Sequence, residues 1–297
     1  MNINQLKTYI AVIETGSFTK AAKTVNLTQS AVSLQIKRLE EELGLPLLTR
    51  IAKAVKLTAA GRDLLQYAKI IIHTHDEAVL TISKRELLGH IRIGAPEDYI
   101  SPFLTRILSR FAKDHSQVKV DVISNLSVNL KRAVDQADLD FALCSELSEG
   151  GTVVFREPMA WISSTKHKQH EITGQIPLAV SYEGCPYRRW ATGSLEEAGR
   201  EFRINYNSPT STGIMAAVRV GFSVAVMGVT NIPEDLMIVG EEQGFPSLPI
   251  GHITLHRAPM PSSPLLLAFE QHIRDTFKEV QHELHEQLRS GARVQFA

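Results

Sequence analysis

From Thr28 to Lys37 the chain reads Thr-Gln-Ser-Ala-Val-Ser-Leu-Gln-Ile-Lys, with hydroxyl and amide groups recurring at helical spacing. Val32, Ile36, Leu39 and Leu43 share one face of such a helix, which leaves Gln29, Ser30, Ser33 and Lys37 on the other. Side chains of this kind hydrogen-bond base edges and phosphates in a groove wide enough to admit a helix, with Thr28 placed as the N-cap. Just beyond, residues 45–50 and 54–57 read as two short strands around a basic tip holding Arg50 and Lys53. A wing of that form commonly reaches the sugar-phosphate backbone. Residues 1–60 hold eight Lys and Arg against four Glu, whereas the whole chain balances at 32 against 32. Overall neutrality thus conceals a basic N-terminal region suited to nucleic acid.

A second kind of chemistry is suggested by polar turns after apolar strands. These are Ala95-Pro96-Glu97-Asp98, Ser124-Asn125-Leu126-Ser127 and Asn207-Ser208-Pro209-Thr210-Ser211-Thr212-Gly213. Helix N-termini at such turns supply free amides and hydroxyls, which together receive anions or polar groups. Ser127, Thr210, Ser211 and Thr212 are therefore candidate effector contacts, with Pro96 and Glu97 lining the other side of a cleft. Plain N-capping explains any one of these residues equally well. Glu97 and Asp98 argue against a simple dicarboxylate and for a ligand with a cationic or hydroxyl group, although hydroxyl density points to a polar or anionic one. Cys185, in Glu183-Gly-Cys-Pro-Tyr-Arg-Arg189, has two Arg nearby that would lower its pKa and make it reactive.

Catalytic patterns are not evident. His282-Glu-Leu-His285 has the wrong spacing for a zinc protease, His73 and His75 fall on different helix faces, and no phosphate-binding glycine loop or nucleophile elbow occurs. No cofactor or metal site is expected. Apolar runs fall short of a membrane span, no signal-peptide core is visible, and the expected location is the cytoplasm.

The elements that must position these groups follow from periodicity. Helices over 5–15 and 18–25 precede the polar one, with Gly16 ending the first and Ser17 capping the second. From about 58 to 88 a single helix of roughly 45 Å carries Leu64, Ala68, Ile71, Ala78 and Ile82, with His75 at a missing heptad position, as a coiled-coil-like seam. Beyond Gly89, strands at 91–95, 118–123 and 139–143 alternate with helices at 99–112 and 128–136. Strands at 178–182, 202–206 and 223–227 form a second set, with helices at 195–200, opened by a Ser194-Leu-Glu-Glu197 capping box, and 214–220. Such alternation predicts parallel α/β sheets, and a returning helix at 264–288 makes two lobes.

The residues Phe18, Ala21-Ala22, Leu27, Thr28-Gln29-Ser30-Ala31-Val32-Ser33, Ile36, Leu39-Glu40, Leu43-Gly44, Leu47, Arg50, Val55, Leu57-Thr58 and Ala60-Gly61 resemble the LysR-type bacterial transcriptional regulators. Leu48 replaces the usual Phe and Lys53 a common Arg. The resemblance implies a mainly helical winged helix-turn-helix domain (1–57), a linker and dimerisation helix (58–89), and a periplasmic-binding-protein-like α/β effector domain of two lobes (90–297). The lobes are expected at about 90–160 with 265–297, and 161–264. It further implies binding to double-stranded operator DNA of dyad symmetry, a small-molecule effector or, alternatively, a switch by oxidation of Cys144 with Cys185, and a homodimer or homotetramer, with RNA polymerase a candidate partner. A solute-binding protein, the distant alternative, needs a signal peptide and no DNA-binding unit, the reverse of this chain.

Overall fold

The computed structural model describes residues 1–51, 54–84, 89–146, 150–166, 174–259 and 263–290. Helix α1 spans Ile3–Thr15, two residues earlier than periodicity indicates, because Asn2 and Gln5 form a reciprocal capping box. Gly16 ends it at φ 62°, and the Ser17 side chain caps α2, Phe18–Thr24. Thr28 accepts from the Ala31 amide to start α3, Gln29–Leu43. Leu6, Tyr9, Val12, Ala21, Val32, Ile36 and Leu39 form the buried centre of this unit. Strands β1 (Leu48–Ile51) and β2 (Ala54–Leu57) pair antiparallel as the wing. Glu40, which the sequence groups with a solvated acidic run, accepts from the Leu47 and Leu48 amides at 2.8 and 3.1 Å and fixes the wing's base.

Helix α4, Ala59–Lys84, starts on Thr58, whose hydroxyl accepts from Gly61 N–H. Its apolar stripe corrects the expected seam. Ala68 is fully buried, and Leu64 and Ile71 pack with it on the core of the chain's own winged helix. A helix with two apolar faces buries first the one that an adjacent element covers, and α1 covers this one. Ala78 remains exposed beside Val79, while the Ile82 side chain lies outside the described residues.

The remaining elements are β3 (His90–Ala95), α5 (Glu97–Tyr99), a π-helical turn (Ile100–Leu104), α6 (Thr105–Asp114), β4 (Lys119–Ser124), α7 (Ser127–Asp135), β5 (Phe141–Glu146) and β6 (Thr152–Ser164). Then follow β7 (Ile176–Val180), α8 (Pro186–Glu197), β8 (Phe202–Asn207), α9 (Ser211–Arg219), β9 (Ala225–Gly228), β10 (Leu236–Val239), β11 (Ile250–Arg257) and α10 (Pro264–Ser290). The first lobe orders its strands β4-β3-β5-β11-β6, and its aromatic core of Phe103, Phe111, Phe141, Phe155, Phe269 and Phe277 lies under α6 and α10.

The sheets are mixed rather than parallel. β11 runs antiparallel between β5 and β6, and β6 continues into the second lobe between β9 and β10, again antiparallel. β7 and β8 complete that lobe as a parallel pair. β11 therefore belongs with the first lobe, so the expected division near 264 is too late, and β6 straddles both lobes instead of ending one. Helix α8 starts at Pro186 with Cys185 in the N-cap position, so Ser194 lies inside a helix and does not cap one. Pro at the first helical position is a start signal that outweighs a local capping-box match.

Candidate nucleic-acid interface and ligand cleft

Helix α3 presents its polar face outward because Val32, Ile36 and Leu39 are consumed by the core. Thr28, Gln29, Ser30 and Lys37 are exposed, whereas Ser33 is half-buried and accepts from Gln29 Nε2 at 3.0 Å. Thr28 and Ser30 hydroxyls share a hydrogen bond of 3.0 Å, and Lys37 lies 3.5 Å from Glu41 as a solvated pair. Leu34 and Arg38, one turn apart, extend the exposed face, and Arg38 is a cation the sequence reading passed over. Thr8 Oγ1 donates to Gln35 Oε1 at 2.6 Å, which holds α3 at a set angle to α1. In the wing, Arg50 stands opposite Val55 in the strand register; its side chain, and all of Lys53, lie outside the described residues.

Between the lobes lies a cavity of about 330 Å³. Among the sequence-predicted contacts, Pro96, Glu97, Ser127, Thr210 and Ser211 line it; Thr212 does not. The Thr212 hydroxyl instead donates to Glu97 Oε1 at 2.7 Å, tying α9 of one lobe to α5 of the other. A second bridge, Tyr187 O–H to Asp98 Oδ2 at 2.8 Å, crosses in the same direction from α8. Both bridges hold the lobes together across the opening. The N-termini of α7, α8 and α9 surround the space, where Thr210 Oγ1 caps Gly213 at 3.1 Å and Ser127 Oγ accepts from Ser145 N–H at the same distance. Sequence reading placed Asp98 in the first polar turn beside Glu97 but missed Tyr182, Tyr187 and Arg188 as cavity residues. Only the folded chain brings α5 and α8 together, so no local pattern could have paired them.

Electrostatics divide the cleft. Burial pushes the Asp98 carboxyl above the usual range, against a lowering contribution from the Tyr187 hydroxyl. Behind it, at the point where β6 passes from lobe to lobe, Glu157 is fully buried and its carboxyl is pushed up to about 7, chiefly by desolvation. Glu157 Oε1 accepts from the backbone and hydroxyl of Thr230, and Oε2 has no partner among the described residues. A Cβ at Gly228 would collide with this carboxylate, so only glycine fits there. Cys144 and Cys185 are both buried and are not joined in a disulfide. Burial raises the Cys185 thiol above its usual value, the opposite of the lowering expected from nearby Arg.

Among the described residues no helix is long and apolar enough to cross a membrane, and no cluster of three metal-ligating side chains occurs. An exposed polar recognition helix with a wing, joined by a long helix to two lobes around a cleft, defines a DNA-binding regulator with a ligand-responsive domain. Comparison with known proteins gives the same class. A family model described as the bacterial regulatory helix-turn-helix protein of the lysR family matches residues 3–62, and one described as the LysR substrate binding domain matches 84–278. The chain belongs to the LysR family of transcriptional regulators.

It is 34% identical over 276 residues to the HTH-type transcriptional regulator DgdR of Burkholderia cepacia, covering 92% of this chain and 94% of that one. To PecT of Dickeya dadantii it is 30% identical, covering 87% and 82%. The fold matches ArgP from Mycobacterium tuberculosis at TM-score 0.72 and 20% identity, over 92% and 96% of the two chains. It matches full-length CbnR complexed with its target DNA at TM-score 0.60 and 19% identity, over 93% and 100%. Proteins of this family bind DNA and small effectors and form oligomers.

Proposed function

We propose that this chain is a homo-oligomeric, non-catalytic transcription regulator whose α3 reads a dyad-symmetric operator and whose inter-lobe cleft takes a small polar effector. Thr28, Gln29, Ser30, Ser33 and Lys37 contact bases and phosphates, and Arg50 and Lys53 hold the backbone from the wing. Pro96, Glu97, Ser127, Thr210 and Ser211 line the effector site, with Thr212 closing it. Ligand entry changes the distance between the lobes, hence the angle between protomers and their grip on two half-sites. Work on chromosomal DNA places the protein in the cytoplasm, within reach of RNA polymerase.

The observation that carries this reading is the convergence of five residues from three separate turns on one cavity bridged by Thr212–Glu97 and Tyr187–Asp98. Selection of binding sites by the full-length protein from a random duplex pool tests the DNA half. Two inverted half-sites are expected, and Gln29→Ala should weaken the selected site by about 1–3 kcal/mol while leaving non-specific binding unchanged. Enrichment of no sequence, or undiminished binding by the variant, would overturn it. A thermal-shift screen of metabolites tests the cleft, since a native-state ligand raises the melting temperature. Hits that survive Ser127→Ala with Ser211→Ala would move the site elsewhere.

A further inference from the structure

We infer that the effector is a zwitterion with its two charges a few bonds apart, an α-amino acid with a small or apolar side chain, its ammonium group held by Asp98 and Glu97. This inference rests on the cleft being the effector site. The cavity's size, about 330 Å³, is at the lower end for ligand pockets and admits a metabolite rather than a cofactor.

One wall of the cavity is acidic and lacks a counter-ion. Asp98 is enclosed, and Tyr187 is the side chain that donates to it. Glu97 receives a neutral hydroxyl from Thr212. Among the described residues no lysine, arginine or histidine pairs with either carboxylate. A carboxylate withdrawn from water without a cation is costly, and an arriving ammonium group relieves that cost with charge-assisted hydrogen bonds.

The opposite wall is electropositive. On the facing lobe, helices α8 and α9 aim their N-termini at the space, and Ser211 contributes a hydroxyl with no hydrogen bond to another described residue; Arg188 also lines it, with its guanidinium donating to Ser181 O at 3.2 Å. These groups receive a carboxylate. The two walls lie close together, because the Thr212–Glu97 hydrogen bond of 2.7 Å joins the first turn of α9 directly to the acidic side. A ligand bridging them at that point therefore carries its opposite charges a few bonds apart, as an α-amino acid does. The lining also includes the apolar Leu126, Ala179, Ile214, Val226 and Met227, which suit an uncharged side chain, beside the polar Asn125, Ser145 and Ser181. A dicarboxylate would set a second negative charge against Glu97 and Asp98, so the anionic ligand expected from hydroxyl density alone is replaced by a net-neutral one.

The test is titration calorimetry on the full-length protein with each of the twenty common amino acids. For every binder, the deaminated acid and the decarboxylated amine of the same carbon skeleton are titrated in parallel. Binding is expected for one or a few small or apolar amino acids, and at least about tenfold weaker binding for both truncated analogues. Asp98→Asn, which retains an acceptor for Tyr187, should weaken the amino acid at least about tenfold and leave the deaminated acid's affinity unchanged. Glu97→Gln provides the same comparison should Asp98→Asn fail to fold. Acids that bind as well as their parent amino acids would overturn the zwitterion while leaving the cleft in place as the effector site. Binding of no amino acid would overturn it likewise. Amino-acid binding untouched by Asp98→Asn and Glu97→Gln, and equally by Ser127→Ala with Ser211→Ala, would instead remove the site from the cleft.

Discussion

Glu157 is a buried carboxyl whose titration is moved toward neutral pH. Its neutral form is favoured in the fold, since the carboxyl titrates near 7 rather than at its ordinary 4.5. The stability this protonation contributes is therefore fully present below about pH 4.5 and is lost as pH rises through about 7. Carried to pH 8, an ionised Glu157 costs at most about 3 kcal/mol relative to a neutral isostere. Glu157→Gln should melt close to the wild type at pH 5 and above it at pH 8. A difference in Tm that stays constant across that range would show that Glu157 is not the titrating group.

Among the elements, α4 shows how a repeating apolar pattern can serve two contacts. Ile71 packs on the winged-helix core, while Val79 is 54% exposed on the same helix. Ile71→Asp should lower the melting temperature of the DNA-binding unit, by about 1–3 kcal/mol in stability, because a carboxylate is then placed against an apolar core. Val79→Asp should leave that melting temperature nearly unchanged and weaken self-association seen by sedimentation. The reverse pattern would return the dimer seam to Leu64, Ala68 and Ile71.

At the scale of the molecule, both lobes end in edge strands with apolar surface. Val122, Ile123 and Val128 are exposed along β4 and α7, and Ile204, Val220 and Phe222 along and beyond β8 and α9. Exposed apolar side chains at both edges of one chain suit a two-fold pair in which each lobe faces the other lobe of its partner. Phe222→Asp and Val128→Asp, taken singly, should each raise the dimer dissociation constant about tenfold or more, and sedimentation at micromolar concentration checks this. An unchanged constant for both would place the contact elsewhere.

Local order is written in the amino-acid sequence itself. Helices α2, α3 and α7, the wing, and most strands of both lobes obey short-range rules: capping by Ser17 and Thr28, a left-handed Gly16, and apolar residues at period 3.6. The polar face of α3 follows from the same rules, since a helix that buries Val32, Ile36 and Leu39 must turn Gln29 and Lys37 to water. Strands β6, β10 and β11 escape such rules, and β11's place in the first lobe depends on pairing with β5, more than a hundred residues away. Which stripe of α4 is buried depends on α1 being its neighbour. The chemistry of the cleft requires the fold most of all. Asp98, Tyr187 and Glu157 come from three distant segments, and a carboxyl's charge is set by what surrounds it in space, which no spacing along the chain encodes.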